Sequence, residues 1–374
     1  MVLDNLITNT YHHLKRATTK LGLGALLTLG AGNYAGCDGD ITTEDRSCYS
    51  EIPSNLPGKI AFTSNRDGTE EDGHNYQVYI MKADGSEVSR LTTMRSGTPH
   101  GPKISPDGKD IIFEAEPNYG WEGYDPDPDV PDSKFYSGIY TTLMSGPSEY
   151  PYHMVDCSQL IEGMITRECM MFGPDWTPDG SSFFFRISDI HTGIYKTNNA
   201  VNYPDRMNGM TRVIERGSDV EVSPDGNSLA FNNTSLGMRE SGEEYGDEYG
   251  DKDQIYISSI DGSNPVNITK HNSNNNNPHW SPDGEKIVFD SDRNFRDGHD
   301  LFVVDIETEH TYQLTTGIGS YYTADWSPDG QLIVFGANFG YGSDFYIIDA
   351  KEGCGKIRQL TDFPGNDFSP HWVP

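Results

Sequence analysis

The sequence predicts an all-β protein: a six-bladed β-propeller of four-stranded antiparallel blades. Three observations carry that expectation. A Ser/Thr-Pro-Asp-Gly step followed by a β-branched or aromatic run recurs as "ISPDGKDIIFEA", "WTPDGSSFFFRI", "VSPDGNSLAFNN", "WSPDGEKIVFDS" and "WSPDGQLIVFGA". The residue opening each phrase sits at 104, 176, 222, 280 and 326, and Trp372 makes a sixth; three of the five intervals are 46 residues and the others are 72 and 58. Finally, the chain stops two residues after Trp372, in mid-phrase, and a matching continuation, "GKIAFTSNRDG", stands at residues 58–68.

Each part of the unit has a physical reason. Pro presets φ at the first corner of a tight turn, Asp accepts local backbone bonds and Gly takes the left-handed position. The run after it, such as Lys286-Ile287-Val288-Phe289, is a strand by side-chain type. A third strand carries an aromatic ("IYISSIDG", "LFVVDIET", "FYIIDA"), and a short fourth one ends in "NIT", "QLTT" or "QLTD". Four strands in such a period make one propeller blade. The 72- and 58-residue units then carry insertions, near 117–137 and 237–253. Residues 368–374 are expected to pair with strands drawn from 59–93, so that the two ends of the chain close the ring and no sheet edge is left for aggregation. The Trp, Phe and Tyr at repeating positions are read as interblade core, and each turn Asp as turn chemistry.

The phrase resembles the TolB-type propeller repeat over residues 58–374. That resemblance implies a six-bladed ring, in agreement with the count, and a role in docking other proteins. TolB also has an α/β domain before its propeller. Only residues 37–57, read as an arm, precede this one, so the resemblance does not extend to the whole TolB function.

Residues 1–36 differ in character. "HHLKRATTK" is basic and Leu21–Ala31 is apolar over the length of a signal-peptide core. Ala35-Gly36-Cys37 resembles the end of a bacterial lipobox, with Tyr34 departing from its aliphatic preference. Either Cys37 is lipidated, or cleavage falls near Ala35 and leaves a thiol. Both readings place the protein outside the cytoplasm, in the periplasm or at the cell surface, with membrane contact only through a lipid on Cys37. Lipidation leaves four cysteines, for which Cys157–Cys169 and Cys48–Cys354 are the natural pairs in an oxidising compartment; free buried thiols are the alternative.

The net charge is −30. Such a field repels nucleic acid and polyanions and draws cations and basic partners. A nucleic-acid partner is therefore not expected; another envelope protein or a cell-wall-associated component is, bound to a monomer.

Two insertions are acidic. Asp125, Asp127, Asp129 and Asp132 offer oxygen ligands, but the prolines among them favour a rigid contact loop over a calcium loop. Residues 237–254, which carry Glu243, Glu244, Asp247, Glu248, Asp251 and Asp253 among Tyr and Gly, read as a solvated loop. Aligning the repeats places Lys103, Asp175, Glu221, His279, Asp325 and His371 on the six innermost strands around one axis. Two readings follow: a hydrogen-bonded polar channel, or a cation site at a channel mouth, with His279, His371, Asp175 and Asp325 as ligands of a divalent cation. No catalytic residue is assigned, and neither a nucleophile elbow nor a zinc-peptidase motif occurs. The expected function is a non-catalytic interaction scaffold of the cell envelope. The alternative is a metal-dependent lyase acting on acidic sugars.

Overall fold

A Ser/Thr-Pro-Asp-Gly step reverses the chain at five places, and all five share one geometry. In each, the Gly N–H donates to the Ser or Thr carbonyl at 2.8 Å, and the Gly φ is 67–73°. The turn Asp accepts from the Ser or Thr hydroxyl at 2.5–2.8 Å. Those hydrogen bonds hold the Asp179 and Asp225 carboxyls below their ordinary range, and at Asp107 the Lys109 ammonium does so ahead of the Ser105 hydroxyl.

The structure, a computed structural model, describes residues 52–67, 76–94, 98–116, 137–144, 152–156, 170–188, 192–197, 210–233, 252–294, 298–316, 320–338, 342–363 and 365–374. The chain divides into Met1–Ser47, outside the described residues, and Cys48–Pro374. The second unit contains six sheets of four antiparallel strands. Blades 2 to 6 are continuous in sequence: 98–156, 170–214, 218–267, 275–313 and 320–359. Blade 1 is composite. Asp367–Val373 forms its innermost strand and pairs with Lys59–Ser64, which continues into Gln77–Lys82 and Ser89–Arg90. Trp372 stands opposite Ile60, so the first and last strands of the propeller lie side by side in one sheet.

The core is divided into six wedges, one between each pair of neighbouring blades. Phe289 and Phe302 of blade 5 pack with Ala230 and Ile255 of blade 4, for example. The closing wedge joins Ile60, Phe62 and Tyr79 of blade 1 to Val334, Phe345 and Ile347 of blade 6, and Leu56 of the arm is buried with them. Non-directional burial of this kind supplies the bulk of the stabilisation.

The Thr of "NIT", "QLTT" and "QLTD" has a task that its sequence position alone does not disclose. Thr92, Thr269, Thr315 and Thr361 accept the backbone N–H of Val78, Ile255, Leu301 and Phe345, at 2.8–3.1 Å. Each bond ties the end of the short outer strand to the start of the third strand.

Polar contacts pin the seam. Arg66 donates from Nη2 to both oxygens of Asp367, at 2.9 and 3.1 Å, and these side chains are 7% and 3% exposed. The guanidinium also lies over Phe62 and Phe363, 4.8 and 4.1 Å from the ring centroids. Asn65 Oδ1 accepts the Asn366 N–H at 2.7 Å. Asp367→Ala leaves this buried guanidinium without its carboxylate and is expected to cost about 3–5 kcal/mol, read as a lowered urea midpoint. A loss below about 1 kcal/mol, as for an exposed pair, would show that the clasp does not hold the ring shut.

Candidate functional site

The innermost strand of every blade is a sheet edge. Its outward N–H groups have no ladder partner and must be satisfied by other means. Three carboxylates do this across blade boundaries. Asp175 accepts the Val222 N–H at 2.8 Å, Glu221 the Trp280 N–H at 2.5 Å and Asp325 the Trp372 N–H at 2.7 Å. In each pair the carboxylate belongs to one blade and the N–H to the next. Three indoles bridge the boundaries between blades 2 and 3, 4 and 5, and 5 and 6, again with the later blade donating: Trp176, Trp280 and Trp326 donate from Nε1 to the carbonyls of Lys103, Glu221 and His279, at 3.2, 3.4 and 3.0 Å. The fourth, Trp372, donates instead to Pro57 of the arm, at 3.1 Å.

The six aligned residues thus form one connected layer. Lys103 Nζ is 3.4 Å from Glu221 and 3.7 Å from Asp175. His279 Nδ1 is 3.0 Å from Glu221, and His371 Nδ1 is 3.2 Å from Asp325. All six side chains are 9–19% exposed. Burial opposes the charge on Lys103, but Asp175 and Glu221 outweigh it and raise the ammonium. Burial likewise lowers His279, and Glu221 more than restores it. For Glu221 burial is outweighed by His279 and Lys103, and the carboxyl is lowered. Asp175 goes the other way: burial raises it, and Lys103 only partly compensates. In this layer each carboxylate is already engaged by a backbone N–H and faces Lys103 or a histidine.

Of the residues singled out for a cation, the structure gathers a different subset. Ligand atoms of Glu221, His279 and Asp325 lie within 4.8 Å of one another. His371 meets Asp325, and Asp175 meets Lys103, so neither completes that cluster directly. The Lys103 ammonium stands beside it. Asp125, Asp127, Asp129, Asp132, Cys37, Cys48, Cys157, Cys169 and nearly all of the 237–254 loop are outside the described residues. Cys354 is disulfide-bonded, and every other cysteine lies outside them.

A second layer was not anticipated. Two residues before each ring position the backbone has positive φ: Gly101, Gly173, Asp219, Asn277, Thr323 and Ser369. The ladder shifts register at or beside each of these positions, the mark of a β-bulge. Gly, Asn and Asp suit this conformation; for β-branched Thr323, at φ 41°, it is an outlier. The signal was present in "GPK", "GPD", "NPH" and "SPH", where a small or polar residue and Pro precede the ring residue. It was obscured by "DVE" and "TAD".

These residues, with Glu114, Phe172 and Arg186, line a cavity of about 230 Å³ along the channel. Near its wider polar wall Asn277 donates to Asp290 at 2.7 Å, and His299 Nδ1 is 2.5 Å from the same carboxylate. Tyr76 lies near His100 and Phe368, and Phe368 near Tyr322, with ring centroids 5.8–6.0 Å apart.

Several groups shift in one direction. Burial pushes Asp219 and Asp344 up to about 6. His299 is raised, chiefly by its hydrogen bond with Asp290. A carboxyl raised on folding binds more protons folded than unfolded between its ordinary value and about 6, so stability falls as pH rises through that window. Raised histidines lose their contribution as pH climbs through their folded values. The lowered Glu221 and Asp325 act oppositely in the acid range, and His100 and His271, lowered by burial, oppose the trend nearer neutrality against the larger set of raised groups. The Tm is therefore expected to be higher at about pH 5.5 than at about pH 8; calorimetry finding the reverse order would contradict this assignment of charges.

Comparison with known proteins agrees with this architecture. Residues 246–338 match the family model described as the TolB β-propeller domain. An uncharacterized Agrobacterium fabrum protein is 27% identical over 205 residues, covering 50% of this chain and 64% of that relative, so the match spans less than two thirds of its length. TolB from Acinetobacter baumannii superposes with a TM-score of 0.60 at 20% identity, over 86% of this chain and 68% of that one. A protein of Agrobacterium tumefaciens described as a TolB superposes with a TM-score of 0.52 at 16% identity, over 85% and 99%. By its repeat and by its fold, the chain carries a TolB-like six-bladed β-propeller.

Proposed function

We propose that this protein is a non-catalytic interaction scaffold of the cell envelope, exported through its N-terminal segment and docking a partner at the channel mouth and rim loops. The observation that carries this reading is the state of the ring. Its carboxylates cap backbone N–H groups of the neighbouring blade, and Lys103, His279 and His371 lie against them. Groups engaged in this way hold blades together; they are not poised to move a proton on a substrate. A rigid frame with loops at its rims is suited to presenting a surface, and a net charge of −30 favours a basic partner.

The test is photocrosslinking from Phe172 or Ser369, which line the cavity, and from Asn227 or Glu285, in turns after the ring. A defined envelope protein should be captured from the cavity positions, with a yield that falls as salt is raised. Equal capture from the turn positions would place docking elsewhere, and capture from none would remove the proposal.

One observation favours a second reading. The gathering of Glu221, His279 and Asp325 within 4.8 Å is a donor set that a divalent cation accepts, at the cost of displacing Lys103. Metal analysis of the purified protein, repeated on a His279→Ala, His371→Ala double variant, decides it. Stoichiometric metal lost in the variant, together with turnover of oligouronides, would replace the scaffold with a lyase.

A further inference from the structure

Two polar side-chain atoms facing the channel cavity are buried without a hydrogen-bond partner: Arg186 Nε and Thr323 Oγ1. They lie in blades 3 and 6, on opposite sides of the six-bladed ring. Arg186 makes no hydrogen bond or ion pair with any described residue. Its guanidinium is held in place by the Phe172 ring, 5.6 Å away, and Phe172 is its cross-strand neighbour. In a chain with 57 acidic residues and 27 Lys and Arg, an unpaired guanidinium at a cavity wall calls for a physical reason. The nearby carboxylates already have donors. Glu114 accepts the Gly173 N–H, and Asp219 accepts the Asn277 N–H. The wall also has room, since a Cβ added at Gly101 or Gly173 would meet no atom within 4 Å.

We propose that this cavity binds a carboxylate, with the Arg186 guanidinium as its charge partner and the Thr323 hydroxyl facing the far end of the bound group. A guanidinium presents planar paired donors that match a carboxylate. A doubly charged phosphate fits less well, because Asp219, Glu114 and Glu221 line the same space and repel the second charge. The carboxylate can belong to a free small acid or to an acidic side chain on a docked partner. The site stands on its own geometry, and its failure would leave the scaffold reading untouched.

The test follows the Arg186 Nε–H resonance by NMR, assigned with Arg186→Lys. The probes are butyrate and a blocked Gly-Gly-Glu-Gly-Gly peptide, with the Gln peptide and chloride at matched ionic strength as controls. Butyrate should shift the resonance, and Arg186→Gln should lower butyrate affinity about tenfold or more, as loss of a charge-assisted hydrogen bond does. A shift with the Glu peptide too identifies a site open to a partner's side chain; a shift with butyrate alone identifies a small-acid site. Without probe, Arg186→Gln should change the Tm little, since the guanidinium makes no hydrogen bond or ion pair with a described residue and only favours the Asp219 carboxylate through space. No shift with either probe, or a clear fall in Tm of Arg186→Gln, would overturn the proposal and make Arg186 a structural residue.

Discussion

A strand that faces a channel has one side of its backbone unpaired, and six such strands meet here around one axis. Paired backbone groups are close to obligatory in a folded protein, and this constraint explains the ring. Asp175, Glu221 and Asp325 reach across to N–H groups of the next blade. Three carboxylates largely buried near one another need polar partners. Lys103, His279 and His371 supply them from the other three innermost strands. The blade interfaces are therefore apolar in their bulk and ionic at the inner edge.

Circular closure is the second requirement. A stack of sheets buries both faces of every member only if the last meets the first. The wedge between blades 1 and 6 achieves this with the same residue types as the other five. What differs is the polar clasp of Arg66 and Asp367. Blade 5 has a counterpart in Arg293, which lies over Phe289 and Phe302 and donates to Asn275, without a carboxylate partner of the Asp367 kind. The stronger version sits where the chain is not continuous, and there a noncovalent bond replaces covalent connection.

Much of the frame was legible from the letters. The Ser-Pro-Asp-Gly turns, the strand after each and the composite first blade follow from local chemistry repeated at a fixed period. The alignment also placed the six ring residues at one level, because a repeat puts equivalent positions at equivalent heights. Their bonding was not legible. Asp175 and Asp325 are both pushed up by burial, but at Asp175 Lys103 offsets this only in part and the carboxyl is raised, whereas at Asp325 the hydrogen bond from His371 and nearby charges outweigh it and the carboxyl is lowered. Arg186 drew no notice, since it sits in an ordinary strand, "FFFRIS", and its exception lies in having no partner.

The sequence by itself determined the blade count, the strand order within each blade and the joining of the two ends, because these depend on turn residues and side-chain alternation that act over a few positions. Only the tertiary structure decided which charges neutralise which, where the backbone bulges toward the channel and which polar atoms remain unmatched. Those are properties of residues brought together from different blades, and no spacing along the chain encodes a distance across the ring.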